Sequence, residues 1–223
     1  MIGAPKMNRV WAMPNADTME VGPIRQLVMR YVQPNMQIVD PFARNCRIAN
    51  WRNDLNPGTL AEHHLDALDF LRMVQSKVAA DLVLFDPPFS PRQIKECYSA
   101  VGIKMQQLDA FRTHWKPERD AINAMLKVGG IVISFGWNTI GMGGSRLYDI
   151  VEILCVCHGP GHNDTLVTVE RKAAHQMSLF GAQELVESGA TAPNTQSTPL
   201  CSCGKVATNF YCDECDDPGI RDA

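Results

Sequence analysis

Leu82-Val83-Leu84-Phe85-Asp86-Pro87-Pro88-Phe89 is the stretch whose reading decides the fold. Four consecutive apolar residues behind Asp81 fit a strand covered on both faces, as in a parallel sheet flanked by helices. Pro87 and Pro88 cannot donate to a ladder, and each disfavours a helical backbone at the residue before it, so the chain leaves the sheet in a stiff extended turn. That turn holds the Asp86 carboxylate close to a backbone carbonyl, with Phe89 presenting a flat apolar face beside them. Two acceptors and a stacking platform suit an exocyclic amine on a planar base. Without that chemistry, the same residues are a strand followed by a rigid loop and a core phenylalanine.

Outward from this strand, the apolar runs at 38–42, 130–135, 150–156 and 165–169 read as further strands, and 24–31, 65–74, 93–100 and 118–126 as helices. Lys127-Val128-Gly129-Gly130 reads as the stop signal of the last helix. The alternation predicts an α/β fold with a mostly parallel sheet, and the last two strands, joined through Gly159-Pro160-Gly161, an antiparallel hairpin at its edge. Asp40, Asp54, Asp66 and Asp86 each follow or end a candidate strand, so the four carboxylates converge on the edge where open α/β sheets bind ligands. Any one of them alone is more often a turn residue or a helix cap. Four together point to a ligand.

Asp86-Pro87-Pro88-Phe89 resembles the catalytic tetrapeptide of the S-adenosylmethionine-dependent amino methyltransferases. Ile38-Val39-Asp40-Pro41-Phe42-Ala43 is similar to their cofactor-binding strand and turn, usually Asp-Pro-Phe-x-Gly-x-Gly. The resemblance implies a Rossmann-like seven-stranded sheet in which Asp40, Phe42 and Ala43 cradle the cofactor and Asp54 holds its ribose hydroxyls. Asp66, at the end of a third strand, would meet the adenine, and Thr18, within Asn15-Ala16-Asp17-Thr18-Met19, would belong to the segment closing over the methionine end. The run Asp86-Pro87-Pro88-Phe89-Ser90-Pro91-Arg92-Gln93 is most like small adenine-N6 DNA methyltransferases of bacteriophage type. A ribosomal-RNA guanine-N2 methyltransferase also carries Asp-Pro-Pro-Phe. One departure stands out: Arg44-Asn45-Cys46-Arg47 replaces the glycines that let a backbone approach the cofactor, with Asn45 the residue best able to take a left-handed backbone. That departure is what an inactive docking module on the same fold would show.

At 223 residues, 45% apolar and 20% charged, the chain suits one domain with an appendage: a methyltransferase-like body over 1–175, a linker over 176–199 and a cysteine-rich segment over 200–223. No run approaches a membrane span and the start has no apolar signal region, so the expected location is the cytoplasm of a bacterium or a phage-infected host. The net charge of −3 divides unevenly: residues 176–223 hold two basic against seven acidic side chains, leaving the body near +2. A mildly basic body is compatible with a phosphate-binding face. Arg92, Lys95, Lys104, Arg112, His114, Trp115 and Lys116, in the long connection after Phe89, are the candidates for contacting nucleic acid. No inserted target-recognition domain is visible.

Cys201-x-Cys203 and Cys212-x-x-Cys215, set among Gly, Asp and Asn with too little apolar residue to fold otherwise, suit a tetrahedral Cys₄ zinc site. Cys155 and Cys157, alternating along a presumed strand, read instead as buried thiols, although His158 and His162 follow. Gln176-Met177-Ser178-Leu179-Phe180 resembles the sliding-clamp-binding motif of bacterial replication proteins, a Gln amide with a Leu-Phe pair that anchors in an apolar groove. The expectation is therefore a DNA adenine-N6 methyltransferase with a structural zinc and, through residues 176–180, a clamp partner.

Overall fold

The computed structural model of the protein describes residues 4–103 and 115–174. Seven strands run β1 Lys6–Trp11, β2 Ile38–Asp40, β3 Trp51–Arg52, β4 Ala80–Phe85, β5 Leu126–Gly136, β6 Tyr148–Cys157 and β7 Thr165–Lys172. Among the described residues four α-helices lie between them: α1 Gly22–Tyr31, α2 Ala67–Gln75, α3 Pro91–Ala100 and α4 Lys116–Met125. All seven strands form one sheet in the order β1-β6-β7-β5-β4-β2-β3. Only β7 runs against its neighbours β5 and β6; every other pairing is parallel.

The central strand obeys its pattern. Side chains alternate across a sheet, so Leu82 and Leu84 enter one core, where Ile24, Leu27 and Val28 of α1 meet Ile133, Val156 and Val167. Val83 and Phe85 enter the other, with Phe70, Leu71 and Val74 of α2, Ile122 and Met125 of α4, and Val132. Each such side chain, fully buried, contributes about 1.5–3 kcal/mol, which fixes the register of β4 and the direction in which Asp86 emerges.

Helix starts carry their own signals. Asp66 caps α2 by accepting from the Leu68 amide at 3.1 Å. Ser90 caps α3, accepting from the Gln93 amide at 3.3 Å, with Pro91 at the first helical position.

Three expectations change. The hairpin is not the outer edge, because β1 pairs in parallel outside β6; its residues Lys6 to Trp11 are mostly exposed and lack a period-two apolar pattern. The Gly129-Gly130 pair does not stop α4; β5 begins directly at Leu126, and Gly129 takes a left-handed φ of 80° within it. A third strand before Asp66 is replaced by one isolated parallel bridge, Asn53 to His63.

β1 is bolted on by a buried carboxylate. Glu152 of β6 accepts from Arg30 at 2.6 Å, from Tyr31 at 2.9 Å and from Asn8 at 3.3 Å. Burial pushes its carboxyl up, but the hydrogen bonds from Tyr31 and Arg30 outweigh burial and hold it below the usual carboxylate range. Among the described residues, no helix is long and apolar enough to cross a membrane.

Candidate active site

The carboxyl ends of β2, β3 and β4 deliver Asp40, Asp54 and Asp86 to one edge. Asp40 is 3% exposed and accepts from the Phe42 amide at 3.0 Å. Burial pushes its carboxyl up to about 8; the Phe42 amide pulls it down, and the charges of Asp86 and Asp54 raise it further. Burial also pushes Asp86 up to about 6, against a lowering hydrogen bond from the Thr18 hydroxyl and the nearby Arg44 guanidinium. Desolvation disfavours the ionised form of both, like charge adds to this at Asp40, and Arg44 offsets it only in part at Asp86.

Arg44 makes the turn in place of the glycines. It, rather than Asn45, adopts the left-handed backbone, with φ of 47°. Its amide donates to Asp54 at 3.2 Å, while its guanidinium bonds Asp17 at 2.7 Å and the Ala16 carbonyl at 2.8 Å. The turn therefore forms without glycine and is tied by its side chain to the segment carrying Thr18. Ala43 is buried and its amide donates to the Asn53 carbonyl at 2.8 Å, holding the turn against β3.

Among the cavities on this edge, a small one is lined by Thr18, Asp40, Ala43 and Asp86, and two clefts are larger. One, of about 410 Å³, runs past Pro41, Phe42, Asp54, Leu65, Asp66 and Tyr98. The other, of about 480 Å³, is lined by Thr18, Asp86, Pro87, Phe89, Trp137 and His158 among others. Phe42, Arg44, Asp54, Pro88, Glu96 and Cys97 border both. Asp54 already accepts from the Arg44 and Asn56 amides. Asp66 lies in the first cleft, but one oxygen caps α2 and the other accepts from the Tyr98 hydroxyl at 2.6 Å.

The tetrapeptide is held on both sides. Ser90-x-x-Gln93 forms a capping box in which the Gln93 Oε1 accepts from the Phe89 amide at 2.8 Å. The Trp115 Nε1 donates to the Pro88 carbonyl at 3.4 Å, and its ring packs edge-on against Phe42 with centroids 5.4 Å apart. Trp115 is 5% exposed, so it belongs to the core and not to a nucleic-acid surface. Arg92 is spent in an exposed pair with Glu96 at 2.8 Å. Lys104, Arg112, His114, the cysteines Cys201, Cys203, Cys212 and Cys215, and the segment 176–180 lie outside the described residues.

Several lining residues were missed in sequence. Trp137, 43% exposed beyond β5, lies 5.8 Å from Phe89 centroid to centroid at 58°, widening the aromatic wall. His158 bridges the Ala12 carbonyl at 2.8 Å and the Thr165 hydroxyl at 2.9 Å, fixing the hairpin's start to the end of β1. Gln93 was legible, since Ser-x-x-Gln after an apolar strand is a helix-start signature; Trp137 carried no motif.

No family model matches the chain, and no curated protein matches it. Solved structures do. The chain aligns with TrmN from Thermus thermophilus at 14% identity and a TM-score of 0.47, covering 68% of this chain and 49% of that one. A methyltransferase homolog protein from Pyrococcus horikoshii aligns at 12% identity and a TM-score of 0.44, covering 71% and 67%. The chain thus spans about half the length of TrmN.

Proposed function

We propose that the protein transfers a methyl group from S-adenosylmethionine to the exocyclic amine of an adenine in DNA. The observation that carries this reading is Asp86, half-buried and hydrogen-bonded by Thr18, lining the larger cleft beside Pro87 and Phe89. The acids supply the fit to the cofactor: Asp40 and Asp86, both raised by burial, gain from a ligand that brings an ammonium and a sulfonium. When bound, that cofactor supplies an electrophilic methyl on a positively charged sulfur. Thr18, Asp40, Phe42 and Ala43 would hold it at the methionine end and turn, Asp54 at the ribose and the cleft around Asp66 at the adenine.

The other cleft takes the acceptor base, flipped from the stack because chemistry on a stacked base is blocked. Phe89 and Trp137 give it an apolar wall. The Asp86 carboxylate accepts from the amine N–H, as does the Pro87 carbonyl, turning the nitrogen lone pair away from the ring. As the amine gains positive charge, Asp86 stabilises it and takes up the proton that leaves. Thr18, donating to Asp86, keeps the carboxylate ionised and aimed. Alignment and a pre-placed acceptor are where the rate comes from.

The four cysteines at 201, 203, 212 and 215 are proposed to hold zinc, and residues 176–180 to dock on a sliding clamp. Both rest on sequence spacing alone.

The test is incubation with labelled S-adenosylmethionine and, in parallel arms, unmethylated DNA and total RNA, with the product nucleoside identified by mass spectrometry. N6-methyladenine in DNA is the expected result. Label in RNA only, as N2-methylguanine, would replace the substrate; no transfer and no cofactor binding would leave an inactive docking fold.

A further inference from the structure

The β6–β7 hairpin brings two thiols and a carboxylate together on the face of β6 away from His158. Cys155 and Cys157 sit two residues apart on β6, so both point to the same side of the sheet. Their sulfurs are 3.8 Å apart. The return limb brings Asp164 beside them, its Oδ2 3.8 Å from the Cys155 sulfur. All three donor groups lie within 4.8 Å of one another.

That spacing has a chemical reading. Two thiolates on a tetrahedral zinc, each at ~2.3 Å, stand about 3.8 Å apart, and a thiolate and a carboxylate oxygen at ~2.0 Å stand about 3.5 Å apart. A thiol pair buried only for packing needs no carboxylate, and Asp164 is exposed while Cys157 is buried and Cys155 half-buried. The hairpin is shaped to make this meeting: Gly159 and Gly161 take left-handed φ values of 82° and 85°, and the Asp164 Oδ1 accepts from the His158 amide at 3.4 Å, leaving Oδ2 directed at Cys155. Charge also balances. Two thiolates, one carboxylate and a divalent ion sum to −1, and Arg9, the ladder partner of Cys155 on β1, supplies the opposite charge nearby.

We propose that Cys155, Cys157 and Asp164 form a binding site for zinc or a similar thiophilic divalent cation, with a fourth position open to water. The ion ties the return limb of the hairpin to β6. Residues 158–163 lie between its ligands, and His158, His162 and Asn163 of that loop line the larger cleft, so the ion sets the rigidity of one wall of that cleft. The site stands independently of any methyl transfer.

The experiment uses the full-length chain with Cys201, Cys203, Cys212 and Cys215 replaced by Ser, so that the tail thiols cannot report. After treatment with chelator, this protein is titrated with Co²⁺ alone, followed by sulfur-to-cobalt charge-transfer absorption, and then competed with Zn²⁺. One equivalent with tetrahedral cobalt bands is expected. Adding Cys155→Ser and Cys157→Ser abolishes the signal. Asp164→Asn, at an exposed side chain that leaves the fold intact by circular dichroism, weakens binding at least about tenfold, since even partners one shell out are worth about 10–100-fold in affinity. No cobalt binding by the tail-thiol variant, or affinity unchanged by Asp164→Asn, overturns the site as assigned.

Discussion

Two sets of carboxylates on this sheet, Glu152 in one and Asp40 with Asp86 in the other, have opposite environments. Glu152, in the middle of β6, is surrounded by Arg30, Tyr31, Asn8 and Lys6, and these partners hold it ionised. Buried Asp40 and half-buried Asp86, at the carboxyl edge, have one amide and one hydroxyl bonded to them with only Arg44 as a nearby cation for Asp86, and burial pushes them up to about 8 and about 6. The first region spends its acid on holding β1 and α1 to the sheet. The second keeps its acids under-compensated, which costs stability and is repaid when a cationic ligand arrives.

The largest effect expected is at Asp86. Asp86→Ala lowers methyl transfer by about 10²–10⁴-fold, the usual worth of a positioned acid or base, while cofactor affinity measured by calorimetry falls far less. Undiminished turnover would remove Asp86 from the chemistry. In the unaltered protein, kcat/KM for the nucleic acid rises tenfold per pH unit up to about 6 and then levels, since the carboxylate must be ionised to accept the amine. With a cationic cofactor bound, the inflection in kcat falls lower still.

Asp40 breaks the comparison from the stability side. Its folded pKa lies above the unfolded value, so the folded state keeps a proton that the unfolded chain releases, and stability falls as pH rises from about 4 to about 8. Asp40→Asn, which keeps an oxygen for the Phe42 amide, removes that slope and stabilises the protein at pH 7 by up to about 4 kcal/mol. Cofactor affinity drops in the same variant. Thermal melting of both proteins at pH 5 and pH 8 decides it; parallel pH slopes would refute the assignment.

Glu152 has the reverse sign. Its depressed pKa means that its contribution is present above the unfolded value and lost as pH falls through the folded one. Glu152→Ala is expected to cost about 2–3 kcal/mol, as for hydrogen bonds to a charged group, and to leave kcat unaltered. Denaturant unfolding measures the first, the transfer assay the second. The smallest effect is at Gln93: Gln93→Ala loosens the Phe89 amide and the start of α3, costing about 1 kcal/mol of helix cap and raising KM for the nucleic acid more than that for the cofactor.

Much of this arrangement was legible beforehand because it is local. The strand ending in Asp86, the turn at Asp40 and the four helices are written in runs of neighbouring residues, and the sheet follows from their alternation. What escaped depends on distant partners. β1 has no apolar alternation, since it is an edge strand tied down by Glu152 from far along the chain. Trp115 reads as one more member of a polar, basic stretch until Phe42 and the Pro88 carbonyl are brought to it. Arg44 takes the glycine's backbone because Asp17, Ala16 and Asp54 engage it from three sides. Asp164 is brought beside Cys155 and Cys157 only by the return of the hairpin, which the alternation along β6 does not announce.

Only five residues separate the end of β4 from the start of α3, and two of them are proline, with a third proline opening the helix. A connection so short and so restricted in φ has little freedom left to lose when a ligand enters beside it. The ordering entropy that a longer loop would surrender at each binding event has here been surrendered during folding, once, so a ligand bound beside this turn draws on contact energy undiminished by that cost.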